Sequence, residues 1–325
     1  MNIQKIIHNY KVKLFCFIND TNEYKNSINY HVKNIYVINL KTNKLRRDYV
    51  VVLMKKLNIN FKLVVVESIN DDIYECLNIK KDMSRSEIGC MLSHLWCLNN
   101  IIQNNYTNSI IFEDDIVFHK NFTELFNQIY NPNINFLILG ACDFSFSKLH
   151  KNKIINNLYT IDKDAVNVYG SHANYYSLKG ATIMFNYKCS NISFFDKGYF
   201  NIFKEMKNTA FICYPNLVVS DISTTNINHE YPFFSIAEDN YYNKCFINFN
   251  FNDYQFIYLD ILLKSIRIPI EETDDYQSYM DKIIYNYFHN NELSKKIKKR
   301  LVWDFFTIDD LKLILHITNS TKNAF

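Results

Sequence analysis

Glycine is scarce in this sequence, which has only five among its 325 residues: Gly89, Gly140, Gly170, Gly180 and Gly198. An average protein is roughly 7% glycine. A Walker loop needs G-x-x-x-x-G-K and a dinucleotide-binding fold needs G-x-G-x-x-G, because bare backbone must approach phosphates. Neither motif can be built from these five glycines, so any bound nucleotide must be held in another way.

An excess of one charge and long apolar runs are also lacking. The chain has 36 basic and 33 acidic residues, whereas nucleic-acid-binding proteins usually have a clear basic excess or a basic face. We therefore expect no nucleic-acid partner. No apolar run approaches the roughly 20 residues of a membrane-spanning helix, and residues 14–18 are too short for the apolar part of a secretory signal. We expect no transmembrane segment and a cytoplasmic location.

The cysteines lack the spacing of a metal or disulfide framework. There are eight, and no two form a C-x-x-C pair. This pattern favours free thiols in a reducing compartment over a zinc site or a set of disulfides.

From residue 34 onward, apolar runs of strand length alternate with helical patterns. Strands are predicted at 34–40, 61–67, 109–113 and 135–139, with further candidates at 181–185 and 210–214. Helices are predicted at 44–58 and 122–130, and after the capping box Ser84-x-x-Glu87. Strands separated by helices of this length predict an α/β fold of the Rossmann type, with a mostly parallel sheet flanked by helices.

The two ends of the chain differ from this pattern. Residues 1–33 form an N-terminal extension in which 12–18 could add a strand. After about residue 245, helices are predicted at 254–263, 274–288, 294–305 and 309–317. We therefore divide the chain into the extension (1–33), a main α/β domain (34–240) and a C-terminal helical region (241–325).

Three consecutive carboxylates, Glu113, Asp114 and Asp115, follow the apolar strand at 109–113. Ligands of open α/β sheets bind at the carboxyl ends of strands, and alternation along an extended strand would place Glu113 and Asp115 on one face. Carboxylates beside a diphosphate suit Mg²⁺ or Mn²⁺, whose charge would relieve their mutual repulsion. A solvated acidic turn is an equally simple interpretation, and a similar cluster also serves phosphoryl-transfer enzymes.

Short motifs lie in order along residues 34–225. They are Val37-Ile38-Asn39-Leu40 with Arg46-Arg47, Ser86-Glu87-Ile88-Gly89-Cys90-Met91-Leu92-Ser93-His94, Ile111-Phe112-Glu113-Asp114-Asp115-Ile116-Val117, Leu137-Ile138-Leu139-Gly140, and Gly170-Ser171-His172-Ala173 through Tyr176 to Ala181, followed by Asp196 and then by Tyr214-Pro215-Asn216-Leu217-Val218. Together they resemble glycosyltransferase family 25, the lipooligosaccharide and procollagen galactosyltransferase group. With the AT-rich composition, this family is associated with large DNA viruses or low-GC microbes; for a virus, the location would be the host cytoplasm or the virion.

The resemblance implies a GT-A-like fold for residues 34–240 and a metal-dependent, inverting transfer of a hexose. Galactose or glucose would move from a UDP-sugar donor to a glycan or a hydroxylated protein acceptor, with Mn²⁺ or Mg²⁺ as cofactor. The sequence departs from the family at Ser84-Arg85-Ser86, where proline or glycine is more usual, and little of the family pattern follows Leu217. The alternatives are a paralogue that binds sugar nucleotides without turnover and a metal-dependent phosphoryl-transfer enzyme.

The resemblance also implies roles for individual residues. Asp115 would coordinate the metal, with Glu113 and His229 as further ligands. Asp196 would be the base that deprotonates the acceptor hydroxyl. The residues expected to bind the donor are Asn39, Arg46, Arg47, Glu87, Ser93, His94, Glu113, Asp114 and His172. For the two arginines a solvated surface position, for His94 a hydrogen-bonded core position and for Asp196 a simple turn are the plainer interpretations.

Overall fold

The alternation of strands and helices predicted for the middle of the chain is confirmed. A computed structural model describes residues 3–18, 27–77, 83–142, 154–159, 168–221, 250, 253–254, 275, 278–279, 281–282 and 307–320. The strands are β1 (Val12–Phe17), β2 (Asn34–Leu40), β3 (Phe61–Val66), β4 (Asn108–Glu113), β5 (Ile116–Phe118), β6 (Phe136–Ile138), β7 (Ile154–Ile155), β8 (Leu158–Tyr159), β9 (Ala173–Ser177), β10 (Ala210–Cys213) and β11 (Val218–Ser220). The helices are α1 (Ile3–Asn9), α2 (Lys44–Lys56), α3 (Asp71–Cys76), α4 (Arg85–Gln103), α5 (Phe122–Ile129), α6 (Leu178–Ser190), α7 (Tyr199–Met206) and α8 (Ile308–Ser320).

Nine strands form the main sheet in the order β1-β3-β2-β4-β9-β6-β10-β8-β7, and β5 pairs with β11 in a small second sheet. Six strands of the main sheet run in one direction, while β1, β8 and β9 run in the other. The predicted fold, α/β with a mostly parallel sheet flanked by helices, is confirmed. The reversed strand β9 lies between β4 and β6, so the two groups of parallel strands do not touch directly.

The central strands β2, β3 and β4 are buried on both faces, which explains their continuous apolar sequences, whereas the edge strand β1 is largely exposed. Within β2, Ile35 and Val37 point into the core beneath α2 and α5, whereas Tyr36 and Ile38 point into the core beneath α4 and α6. This alternation is the pleat of an extended strand. The chain is therefore a three-layer structure in which helices cover both faces of one sheet.

The N-terminal elements extend the sheet and cover one of its faces, and the last described helix packs on α2. Strand β1 pairs antiparallel with β3, as the added strand predicted at 12–18, and the side chains of Ile3, Ile6 and Ile7 in α1 are buried. At the other end, α8 packs on α2 with an ion pair of 2.6 Å between Asp310 and Lys56. The helix predicted at 309–317 is thus confirmed. Most of the other predicted C-terminal helices lie outside the described residues, and the division at 33 and 240 stays a prediction.

The strand predicted at 181–185 is wrong, because these residues belong to helix α6. The strand is β9, one element earlier. The Ser177 hydroxyl accepts a hydrogen bond from the backbone N–H of Gly180 and so begins the helix as an N-cap. Gly180 is required there because a Cβ at this position would overlap the backbone carbonyl of Asn135.

Candidate functional site

A cavity of about 420 Å³ lies at the carboxyl ends of β2, β3 and β4 and against the first turns of α4. We call it the strand-end cavity. Its lining residues include Leu40, Arg46, Ser68, Gly89, Ser93 and the acidic stretch Glu113, Asp114 and Asp115. The predicted position of the carboxylates, at the ligand-binding edge of the sheet, agrees with the structure.

The acidic stretch forms the turn between β4 and β5. Strand β4 ends at Glu113. The turn itself consists of Asp114 and Asp115, and β5 begins at Ile116. Because the extended strand stops at Glu113, the expected alternation does not continue to Asp115. The two side chains bind different partners, although both line the cavity.

Asp114 is a buried acid whose carboxylate is fully engaged by two predicted donor-binding residues. The Asn39 side chain donates to its Oδ2 at 2.6 Å, and Arg46 Nη1 donates to its Oδ1 at 3.0 Å. Arg46 is buried and belongs to the first turn of α2. Its positive charge offsets the negative charge of the acidic turn. In this structure Asn39, Arg46 and Asp114 form the frame of the turn.

Asp115 is engaged by Arg46 and by a hydrogen bond from the Ser220 side chain, yet one of its oxygens is left over. Arg46 Nη1 lies 3.4 Å from its Oδ2, but its buried Oδ1 has no hydrogen-bond partner among the described residues. Burial raises the pKa of Asp115; Arg46 opposes this rise, and the neighbouring carboxylates of Glu113 and Asp114 add to it. A buried carboxylate oxygen without a partner is costly unless a ligand completes the site.

Glu113 differs from Asp115 because its pKa is lowered rather than raised. His94 Nε2 donates to its Oε1 at 3.0 Å, and the Ser171 hydroxyl donates to the same oxygen at 2.5 Å. Burial alone would raise the pKa of Glu113, but these hydrogen bonds and the charge of His94 outweigh it and lower the pKa. His94 is itself fully buried and stacks on Phe195 at 4.3 Å between ring centroids. Glu113 is therefore kept ionised by neighbours on α4 and before β9.

Two residues of this network, Cys90 and Ser171, were not among the predicted site residues. Cys90 Sγ lies 3.9 Å from Glu113 Oε1, and with His94 these form a group whose ligand atoms lie within 4.8 Å of one another. Burial raises the pKa of Cys90 well above its usual value, and Glu113 raises it further. Both residues belong to the quoted motifs, so their position beside Glu87, His94 and His172 was the available signal.

The predicted base Asp196 lies beside Gly170, whose backbone N–H donates to its Oδ2 at 3.1 Å. Burial raises the pKa of Asp196; the Gly170 hydrogen bond lowers it, Glu113 raises it further and Lys188 lowers it. The buried ammonium of Lys188 donates to the backbone carbonyls of Phe194 and Lys197, on either side of Asp196. Asp196 is not a lining residue of the strand-end cavity.

The remaining predicted residues divide between the cavity and the frame. Ser93 lines the cavity and donates to the Gly89 carbonyl at 2.6 Å. Glu87 is half-buried and caps α4 by accepting from the Ser84 N–H, which confirms the capping box but leaves Glu87 outside the cavity. Arg47 lies 3.7 Å from Asp48 and is also outside it. His229 lies outside the described residues.

His172 is buried behind the acidic turn, where Gly140 provides the room for it. Its Nε2 lies 3.3 Å from the carbonyl oxygen of Val218, and its own carbonyl accepts from the Glu113 N–H at 2.9 Å. A Cβ at Gly140 would overlap both the Val218 carbonyl and the His172 ring. Gly170, with a φ of +115°, turns the chain into this segment. Two of the five glycines thus shape the wall behind Glu113.

Comparison with known proteins assigns this fold and site to a family. The model of glycosyltransferase family 25 (LPS biosynthesis protein) matches residues 32–200. This span is a little more than half of the 325 residues and contains Asn39, the start of α4, the acidic turn and Asp196. The chain belongs to glycosyltransferase family 25, and the predicted class of enzyme is confirmed at the level of the family.

Individual relatives match shorter stretches. A putative glycosyltransferase of Haemophilus influenzae is 34% identical over 134 residues, which cover 38% of this chain and 48% of the relative. A procollagen lysyl hydroxylase and glycosyltransferase of Acanthamoeba polyphaga mimivirus is 25% identical over 182 residues, covering 49% of this chain and 19% of the relative. Human procollagen galactosyltransferase 2 is 29% identical over 102 residues, covering 27% and 16%. The chain thus matches less than half the length of each of these relatives.

A solved structure of a glycosyltransferase involved in glycosylation of the major capsid of PBCV-1 aligns with 59% of this chain and 93% of its own. The TM-score is 0.35 and the sequence identity 10%, so it adds nothing to the family assignment. Within the part of the chain that the structure describes, no helix is both long and apolar enough to cross a membrane.

Proposed function

We propose that this protein is a metal-dependent glycosyltransferase that moves a hexose, galactose or glucose, from a UDP-sugar to a glycan or hydroxylated protein acceptor. The observation that supports this best is the acidic turn: three carboxylates line a cavity at the ligand-binding edge of the sheet, and the buried Asp115 Oδ1 has no partner among the described residues. Family membership supplies the reaction class.

The residues present fit a divalent cation. Asp115 offers an oxygen without a hydrogen-bond partner, and Glu113 offers a second carboxylate that its neighbours keep ionised. Oxygen ligands of this kind suit Mg²⁺ or Mn²⁺, which also take phosphate oxygens. Bound there, the cation would neutralise charge that develops on the leaving diphosphate. His229 stays a proposed further ligand on the strength of the resemblance alone.

The other residues of the site support the same reaction. Asn39 and Arg46 fix Asp114, while His94 and Ser171 fix Glu113, so the carboxylates are oriented before a ligand arrives. We assign Ser93 to donor binding because it lines the cavity, whereas Glu87, Arg47 and His172 do not line it. Preorganised charges of this type lower the cost of stabilising a transition state.

Asp196 would accept the proton of the acceptor hydroxyl. The hydroxyl oxygen attacks the anomeric carbon of the hexose, the bond from that carbon to the diphosphate breaks, and the electron pair leaves with UDP. Attack from the face opposite the leaving group inverts the configuration. Burial raises the pKa of Asp196, and a carboxylate that binds protons more readily is a better base at neutral pH.

A second candidate, a sugar-nucleotide-binding protein without turnover, is favoured by one observation. The Arg46 guanidinium lies within 3.4 Å of both Asp114 and Asp115, so a cation of the protein itself already offsets the acidic turn. If this ion pair replaces the metal, UDP binding will not depend on a divalent cation and no UDP will be released from UDP-hexoses.

The test measures UDP release from UDP-galactose and UDP-glucose with Mn²⁺, and UDP binding by calorimetry with and without Mn²⁺. We expect Asp115→Asn to lower turnover by at least about a hundredfold, the scale of losing one preorganised electrostatic contact, and to abolish the effect of Mn²⁺ on UDP affinity. Asp309→Asn, a substitution at an exposed aspartate in α8, is the matched control. Full Mn²⁺-dependent UDP binding by Asp115→Asn would show that the metal site is assigned wrongly.

A further inference from the structure

The N-terminal segment closes the strand-end cavity at the side away from Asp115. Residues 3–17 precede the part of the chain that matches the family model. Helix α1 packs against α4, and β1 extends the sheet beside β3. Because both elements are held by the main core, the residues between them have a fixed position. Tyr10 lies in this short connection.

Tyr10 is bound directly to the cavity wall. Its side chain is buried, and its hydroxyl lies 3.3 Å from Ser93 Oγ and donates to the Gly89 carbonyl at 3.4 Å. Gly89 and Ser93 belong to the small residues that α4 presents to the cavity, together with Ser86 and Cys90. The Tyr10 hydroxyl therefore fixes this side chain against the part of α4 that presents small residues to the cavity.

A second cavity of about 320 Å³ lies on the other side of Tyr10. We call it the N-terminal cavity. It shares Tyr10, Glu67 and Ser68 with the strand-end cavity and is otherwise lined by Asn9, Lys11 and residues at the start of α3. Tyr10 is therefore part of the partition between two cavities, and its size sets the length of the space available to a ligand.

The chemistry of the strand-end cavity changes along its length. One end carries Glu113, Asp114 and Asp115, where the proposed function places the diphosphate with its cation. The end near Tyr10 offers the apolar side chains of Leu40, Val66 and Ile69 beside the polar Glu67 and Ser68. A carboxylate repels phosphate, but carboxylate and hydroxyl oxygens accept hydrogen bonds from ribose hydroxyls and base N–H groups. This end fits the nucleoside half of a sugar nucleotide.

We propose that the N-terminal segment forms the nucleoside end of the donor site, with Tyr10 as the residue that limits the size of the base. The inference rests on the proposed function, because it requires a nucleoside diphosphate in the strand-end cavity. It adds that residues outside the family match decide which nucleotide is accepted. A pyrimidine fits against the Tyr10 ring, and a larger purine would need the space that Tyr10 and the N-terminal cavity occupy.

The experiment measures by calorimetry, with Mn²⁺ and the full chain, the affinities for UDP and GDP. We expect Tyr10→Ala to weaken UDP binding by about tenfold, the usual scale for a changed pocket wall, and to weaken GDP binding less or to strengthen it. Tyr10→Phe keeps the ring, so its preference for UDP over GDP should stay within about twofold of the wild type. Tyr30→Ala, at an exposed tyrosine, is the matched control.

Thermal unfolding of each variant reports whether the fold is intact. Should Tyr10→Ala fail to fold, Tyr10→Leu keeps apolar contact with α4 and is expected to narrow the preference for UDP in the same way. An unchanged preference in a folded Tyr10→Ala or Tyr10→Leu variant would overturn this inference while leaving the proposed function in place. A wild-type chain that binds neither nucleotide would overturn both.

Discussion

Replacing Lys188 by methionine should change how the stability of the protein depends on pH. The Lys188 side chain is fully buried at the end of α6, and its ammonium donates to the carbonyls of Phe194 and Lys197. Burial lowers the pKa of Lys188 from 10.5 to about 8; the nearby Asp196 opposes this shift and Lys197 adds to it. The protein thus keeps an ammonium in a place that disfavours its charge.

The size of the effect follows from the two pKa values. A shift from 10.5 to about 8 corresponds to about 3 kcal/mol, at 1.36 kcal/mol for each pKa unit. Below pH 8 both states carry the proton, so the full cost is present. Between about pH 8 and 10.5 the unfolded state binds more protons than the folded state, and the free energy of unfolding contributed by Lys188 rises with pH.

The assay is denaturant unfolding of the wild type and of Lys188→Met at steps from pH 7 to pH 10.5. Tyrosines and cysteines of the unfolded chain also titrate in this window, but they are common to both proteins and cancel in the difference. We expect the wild type to gain about 3 kcal/mol on the variant between the two ends of the window. A difference that stays constant with pH would show that the Lys188 ammonium is not destabilised by its burial.

Two further substitutions distinguish residues that stabilise the fold from residues that bind the donor. Glu87→Ala should cost about 1 kcal/mol of unfolding free energy, the usual loss for a capping interaction, and leave Mn²⁺-dependent UDP affinity unchanged; a loss of UDP affinity at unchanged stability would restore Glu87 as a donor-binding residue. Arg46→Met should cost about 3–5 kcal/mol, because it leaves Asp114 and Asp115 buried without their cation. Saturating Mn²⁺ should recover more stability in this variant than in the wild type when thermal unfolding is followed with and without the metal.

The strands and helices were predictable where a single local sequence pattern identifies the element. Continuous apolar runs predicted β2, β3 and β4, and the capping box predicted the start of α4. The run at 181–185 misled because a short apolar stretch inside a buried helix has the same length and composition as a buried strand. The residue that distinguishes the two is Ser177, whose side chain accepts a hydrogen bond from the Gly180 N–H and so begins a helix at this point.

The site was predictable as a place but not as a set of contacts. The position of the acidic turn follows from its neighbouring strands, because parallel strands end at the same edge of a sheet. The partners of each carboxylate come from β2, α2, α4 and the segment before β9, which only the folded chain brings together. Ser171 and Cys90 were missed for this reason.

The three carboxylates, equivalent in the sequence, have different roles in the structure. Asp114 is held by Asn39 and Arg46, Glu113 is held by His94 and Ser171, and Asp115 is bonded by Arg46 and Ser220. Asp115 keeps a buried oxygen without a partner among the described residues, and burial and its acidic neighbours raise its pKa. A bound cation would remove both costs at once. The three carboxylates of the acidic turn are therefore not interchangeable: Asp115 has the oxygen that a cation would satisfy, Glu113 is a second ligand already oriented by its neighbours, and Asp114 is held by the protein.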